Sequence, residues 1–182
     1  MATDLSRSKS YDIARAYDEI APVYDALFRD DQSHQENEAI MARLGDLSGL
    51  RVLDIGCGTG LLLEYADPAG YVGVDPSPRM LAGLRRKFPQ HSGDLRCATL
   101  EGALPDLGGF DLAVALFGVG SYLTMDELQA VPGLAQRSFV MGYWPGYVPV
   151  TYERSGVFVP ARSVWVPSGA EHWGNYWIVA TP

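Results

Sequence analysis

Histidine and cysteine are scarce in this chain, with three and two among 182 residues. The two cysteines, Cys57 and Cys97, cannot make the disulfide framework of a small secreted scaffold. Cys57 falls inside a glycine turn, where its small side chain reads as a spacer. No metal site is expected. Basic residues are short as well, 14 Lys and Arg against 22 Asp and Glu, for a formal charge of -8. That balance repels phosphate backbones, so nucleic acid is not expected as a partner. The one basic concentration, Arg79, Arg85, Arg86 and Lys87, reads as the solvated face and last turn of a helix. No apolar run approaches the roughly 20 residues that cross a bilayer, so no membrane partner is expected. Residues 1–9 are polar, lack an apolar signal core and read as a flexible leader. A soluble, cytoplasmic protein is the expectation.

What is present is ordinary globular composition, 47% hydrophobic and 20% charged, in a length that suits one core. Residues 10–182 read as a single domain, with helices over 10–48 ahead of an alternating core over 51–182. Apolar groups at helical spacing run through Ile13, Tyr17, Ile20, Val23, Tyr24 and Leu27, with Pro22 as a break. Tyr17 and Tyr24, two turns apart, would share one face. A second helix is expected over 32–47. Strands then follow at 51–55, 71–75, 94–99, 110–116 and 138–143, with helices at 59–65, 78–88 and 125–134. Such alternation implies a parallel sheet covered on both faces. Residues 162–166 and 175–180 read as two strands joined by a short loop, hence an antiparallel hairpin.

The most informative stretch is Arg51-Val52-Leu53-Asp54-Ile55-Gly56-Cys57-Gly58-Thr59-Gly60. A strand runs into glycines on alternate positions and then into a helix start. Such a turn lets backbone approach a nucleotide closely and offers it free N–H groups. The spacing is missing something. A dinucleotide fingerprint, Gly-x-Gly-x-x-Gly, wants glycine where Leu61 stands, and the third glycine comes one place early, at Gly60. Nicotinamide and flavin cofactors are therefore disfavoured. Asp75 ends the second strand a little over twenty residues past the start of the motif, placed to accept hydrogen bonds from both hydroxyls of a ribose.

Val52 to Gly60 resembles the first motif of class I S-adenosylmethionine-dependent methyltransferases almost letter for letter. Val72-Gly73-Val74-Asp75-Pro76-Ser77, followed by Met80-Leu81, resembles the motif after their second strand. Tyr17-Asp18-Glu19-Ile20-Ala21-Pro22-Val23-Tyr24-Asp25 is similar to the N-terminal lid of small-molecule members, and Phe110-Asp111-Leu112-Ala113-Val114 to their fourth strand. The resemblance implies an α/β, Rossmann-like, doubly wound three-layer sandwich. Its seven strands would run 3-2-1-4-5-7-6, mostly parallel with an antiparallel C-terminal hairpin. It implies S-adenosylmethionine as cofactor and S-adenosylhomocysteine as product. Gly56, Cys57, Gly58 and Gly60 would lie along the methionine and ribose portions, with Asp54 near the ammonium or anchoring the turn. Asp75 would hold the ribose, Pro76 and Met80 would flank adenine, and Phe117 would line the pocket under the sulfonium. Tyr17 and Tyr24 would close over the cofactor. The family's usual aspartate after the third strand is absent. Backbone near Thr99 and Leu100, with Glu101 for the exocyclic amine, would take its place.

Methyl transfer from a sulfonium mainly needs alignment and exclusion of water, although a hydroxyl acceptor also needs a base. His34, His91 and His172 read as non-catalytic. The Asn/Asp-Pro-Pro-Tyr run of amino-methylating DNA and protein-glutamine members is missing; Leu116-Phe117-Gly118-Val119-Gly120-Ser121-Tyr122-Leu123 stands there. A small-molecule acceptor, at nitrogen or oxygen, is expected, with Tyr122, Tyr143 and Trp144 as candidate contacts. Further aromatics follow at Tyr147, Tyr152, Phe158, Trp165, Trp173, Tyr176 and Trp177. The short acceptor wall leaves two alternatives open: a second copy completing the pocket in a homodimer, and a catalytically silent cofactor-binding subunit.

Overall fold

A computed structural model of the chain describes residues 5–147, 155–157 and 165–182, with side chains from Ile13 onward. The sequence-based candidates Tyr152 and Phe158 and most of the expected strand at 162–166 lie outside them. Helix α1 (Leu5–Ile20) includes residues 5–9 of the supposed leader. No glycine or proline interrupts that run, and polarity alone does not stop a helix. After Ile20 the chain turns at Pro22 into a short 3-10 segment, Tyr24–Phe28. Helix α2 (Asp31–Leu44) opens on Asp30, whose side chain accepts from Ser33 N–H at 2.9 Å. It stops three residues short of expectation because Gly45 takes φ +77 and caps it.

Strand β1 (Arg51–Ile55) pairs in parallel with β2 (Gly70–Val74) on one side and β4 (Phe110–Ala115) on the other. Short β3 (Leu95–Arg96) lies outside β2, and β5 (Ala135–Tyr143) outside β4. Helices α3 (Leu61–Tyr65), α4 (Pro78–Lys87), α5 (Leu100–Ala103) and α6 (Met125–Ala130) fill the crossovers. The order among the described residues is β3-β2-β1-β4-β5-β7-β6, as the resemblance implied. The closing hairpin, β6 (Glu171–Trp173) and β7 (Tyr176–Thr181), is antiparallel but sits later than expected. Its turn is Gly174-Asn175, with Gly174 at φ +55, a backbone setting that suits a two-residue hairpin loop. Residues 165 and 166 are not in a strand.

Alternate residues of the central strands build two cores. Val52, Leu112 and Val114 pack with Ile40, Leu44, Leu62, Leu81 and Leu84 on one face. Leu53, Ala113 and Ala115 pack with Leu100, Leu123, Val131 and Trp177 on the other. Strands β1 and β4 feed connections to opposite sides, so their carboxyl ends diverge and leave a crevice, the usual ligand position in such sheets.

Candidate functional site

The turn after β1 is clasped to β2: the N–H groups of Gly56 and Cys57 donate to Val74 O at 2.7 and 3.2 Å. Gly56 stands at φ +69, and a Cβ there would lie 2.6 Å from Val119, so no other residue fits. Gly58, at φ +53, is less confined, a Cβ there meeting only Gly56 O at 4.0 Å, and its N–H donates to Asp75 Oδ2 at 2.9 Å. Asp75 Oδ1 accepts from Ser77 N–H at 2.8 Å. Burial pushes the Asp75 carboxyl up to about 6, against the pull of those two N–H donors. Two of its lone pairs are used and two remain.

Gly56, Cys57, Gly58, Asp75, Pro76, Met80, Leu100, Phe117, Tyr17, Tyr24 and Tyr122 line one cavity at this crevice. Five expected residues do not, and one of these, Tyr143, lines the neighbouring cavity instead. Asp54 is buried beneath the turn, its Oδ2 accepting from Tyr71 Oη at 2.9 Å, and burial pushes its carboxyl up to about 7. Gly60 caps α3 and packs on α4, where a Cβ would meet Leu84 at 2.9 Å. The Glu101 side chain is exposed and absent from the cavity wall. Trp144 stacks on His172, centroids 3.9 Å apart, at the sheet edge. Sequence reasoning missed Glu127, a buried acid on the cavity wall, because it reads as an ordinary capping-box glutamate of α6.

Tyr17 and Tyr24 do meet, with centroids 6.2 Å apart, but not on one helical face. The break at Pro22 folds the second tyrosine back toward the first. Asp18 fixes this lid to α4: its Oδ1 accepts from Ser77 Oγ at 2.6 Å and from Arg79 N–H at 3.0 Å. Asp25 accepts from Thr59 Oγ1 at 2.5 Å and pairs with Lys87 at 3.0 Å.

A second, roomier cavity of about 640 Å³ adjoins the first, and Tyr24, Thr59, Leu61 and Phe117 form walls of both. Phe117 carries φ +49, the only positive φ at a non-glycine among the described residues. Such strain tends to sit where a side chain must be aimed. Tyr143 lines this second space, with Tyr147 and Tyr176. Tyr17, Tyr122, Tyr143 and Tyr176 form a continuous ring chain at 5.8–6.0 Å, linking both cavities. Desolvation raises the pKa of Tyr17, Tyr24, Tyr122, Tyr143 and Tyr176, so these phenols stay protonated and act as neutral hydroxyls. His34 lies on the wall of the second cavity, its Nδ1 3.1 Å from Tyr65 Oη; His91 and His172 line neither. No cluster of His, Cys, Asp and Glu suited to a metal occurs among the described residues, and no helix there is long and apolar enough to cross a membrane.

A sequence model described as a methyltransferase domain matches residues 53–136. The ubiquinone biosynthesis O-methyltransferase of Bradyrhizobium sp. (strain ORS 278) is 34% identical over 146 residues, 73% of this chain and 54% of that protein. The chain thus spans about half the length of the curated relatives it matches. Among solved structures, an S-adenosylmethionine-dependent methyltransferase from Mesorhizobium loti superposes with TM-score 0.50 at 25% identity, over 59% of this chain and 52% of that one. The magnesium protoporphyrin IX methyltransferase of Synechocystis PCC 6803, solved with S-adenosylhomocysteine bound, shares the fold. Its TM-score is 0.56 at 18% identity, over 86% of this chain and 91% of that one.

Proposed function

This chain belongs to the class I S-adenosylmethionine-dependent methyltransferase family, and on that premise we propose that it methylates a small molecule held in the second cavity. The observation that carries the reading is the shared wall: the nucleoside-type cavity and the roomier one meet at Tyr24, Thr59, Leu61 and Phe117. The first cavity fits the family's cofactor. Gly58 lines the cavity at φ +53, where a Cβ would meet only Gly56 O at 4.0 Å, and Asp75 keeps two acceptor lone pairs for a ribose diol. When bound, S-adenosylmethionine supplies a methyl group already activated by its sulfonium.

The chain's own residues bind, align and exclude water. Asp75 accepts the ribose hydroxyls. The backbone at Gly56 and Cys57 faces the amino-acid end, and Pro76, Met80 and Leu100 sandwich the base. Tyr17 and Tyr24 close the lid, held by Asp18 on α4. Phe117 separates donor from acceptor so that the two approach in line, and Tyr122 and Tyr143 offer neutral hydroxyls to orient the acceptor. Oxygen nucleophiles are the first class to assay, because the curated relative is named for O-methylation. Calorimetry with S-adenosylmethionine and S-adenosylhomocysteine tests the site, with micromolar binding expected. Transfer of a labelled methyl group across phenolic, carboxylate and amine panels tests the activity. Failure to bind either nucleoside overturns the proposal.

A further inference from the structure

Besides Asp75, the lining of the first cavity includes Pro76, Met80, Ala98, Thr99 and Leu100. These apolar surfaces suit the faces of a planar base, which leaves its edge to be met. The acid next in sequence, Glu101, points to solvent. Glu127 arrives from the far side of β4 and lines the cavity with 5% of its surface exposed. Its Oε1 accepts from Glu101 N–H at 2.9 Å, and its Oε2 accepts from Thr124 N–H at 2.8 Å. Each oxygen still holds an unused acceptor site. A buried carboxylate on a largely apolar wall is costly unless further donors reach it.

We propose that Glu127 reads the base of the bound nucleoside, accepting a hydrogen bond from the exocyclic amine of a 6-aminopurine. This rests on the first cavity being the S-adenosylmethionine site. With the ribose at Asp75 and the amino-acid end at Gly56 and Cys57, the amine is the donor that remains for Glu127, which holds the N–H next to Leu100 on the cavity wall. A 6-oxopurine would present an oxygen to the carboxylate, acceptor against acceptor, and be rejected. The side chain therefore does two jobs. It ties the start of α5 to the capping box of α6, and its spare lone pairs set base specificity. It also takes over, from a different element, the position after β3 where Thr99 and Leu100 offer no acid.

Calorimetry of the full chain with S-adenosylhomocysteine and S-inosylhomocysteine tests this. The wild type is expected to prefer the adenosyl ligand by on the order of 100-fold, as sites built to pair a polar group do. Glu127→Gln can donate to the 6-oxo group, so the preference should fall at least roughly tenfold. Thr124→Ala removes the other half of the capping box outside the cavity; it should lower Tm and keep the preference. Should Glu127→Gln fail to fold, Glu127→Asp, one methylene shorter, is expected to lose preference in the same sense. Equal weakening of both ligands by the Glu127 variants, or the same loss of preference in Thr124→Ala, overturns the proposal. Wild-type binding of S-adenosylhomocysteine without preference overturns this inference alone. Binding of neither ligand overturns the assignment of the cavity as well.

Discussion

The two sides of the crevice are built from different materials. On the β1–β2 side, backbone and carboxylates do the positioning: Gly56 and Cys57 lock onto Val74, and Asp75 binds the N–H groups of Gly58 and Ser77. On the β4–β5 side, rings do it: Tyr143 and Trp177 fill space against Gly118, Gly120 and Gly142, and Tyr122 and Tyr176 pack on Tyr143. The one buried side-chain polar atom without a partner among the described residues, Trp177 Nε1, belongs to the second side. Directional hydrogen bonds fix the geometry of the first side. Aromatic packing fixes only a volume. A family can thus hold one cofactor constant while acceptors change.

The contrast breaks most directly at Asp75. Asp75→Ala leaves two backbone donors unpaired and removes the acceptor proposed for the ribose, so S-adenosylhomocysteine affinity should drop about 100-fold, or about 3 kcal/mol. Wild-type affinity in that variant, measured by calorimetry, would put the cofactor elsewhere. The matching change on the aromatic side is Gly142→Ala, whose Cβ would lie 2.0 Å from the Trp177 ring. Overpacking of this kind costs about 1–3 kcal/mol, visible as a drop in Tm, whereas cofactor affinity of the folded protein should stay within about twofold. Gly133→Ala, with nothing near its Cβ, is the neutral control. A Tm for Gly142→Ala equal to that control would mean the rings are loosely held.

The same division decides what could be read from the chain. The places of Gly56, Gly58 and Asp75 in the cavity wall were legible because the spacing of a strand, a turn and the next strand is fixed locally. The strand order followed from the motif resemblance, and the alternating pattern of the central strands supported it. The aromatic side is assembled by tertiary contact, so its letters carried less. Trp144 follows Tyr143 directly, yet strand alternation sends it to His172 and away from both cavities. Glu127 was not legible either, because only tertiary packing carries this acid of α6 to the cavity and to the N–H of Glu101. The hairpin slipped because two turn-forming stretches compete near the C-terminus, and Gly174-Asn175 sets the β6–β7 register.

Acidity separates the two sides next. The Asp54 and Asp75 carboxyls, pushed by burial up to about 7 and about 6, both lie under the cofactor side. Unfolded aspartate titrates near 3.9, so between there and 7 the folded chain binds more protons than the unfolded one. The contribution of these groups to stability is therefore fully present below about pH 4 and is lost as pH rises through 6 and 7. Tm of the unliganded protein should fall by a few degrees from pH 5 to 8, and Asp54→Asn should remove the upper part of that slope. Cofactor affinity should run the other way. Asp75 must be ionised to accept two hydroxyls, so S-adenosylhomocysteine binding should weaken below about pH 6. A flat affinity from pH 8 to 5 would remove Asp75 from the ribose.

The smallest expected effect lies where the two sides touch. Tyr143 borders only the second cavity, stacks on Tyr176 at 5.8 Å and lies 6.0 Å from Tyr122, which borders the first. Tyr143→Phe keeps the ring and loses one neutral hydroxyl, a change of about 1 kcal/mol or less. Once an acceptor is known, its KM should rise roughly three- to fivefold with S-adenosylhomocysteine affinity unchanged. Tyr122→Phe should disturb both constants, since that ring lines the first cavity, proposed to hold the cofactor. Trp144→Ala should move neither and show only in Tm. Were Tyr143→Phe to weaken the cofactor and spare the acceptor, the second cavity would not be the acceptor site. The ring chain would then have to be read as part of the lid.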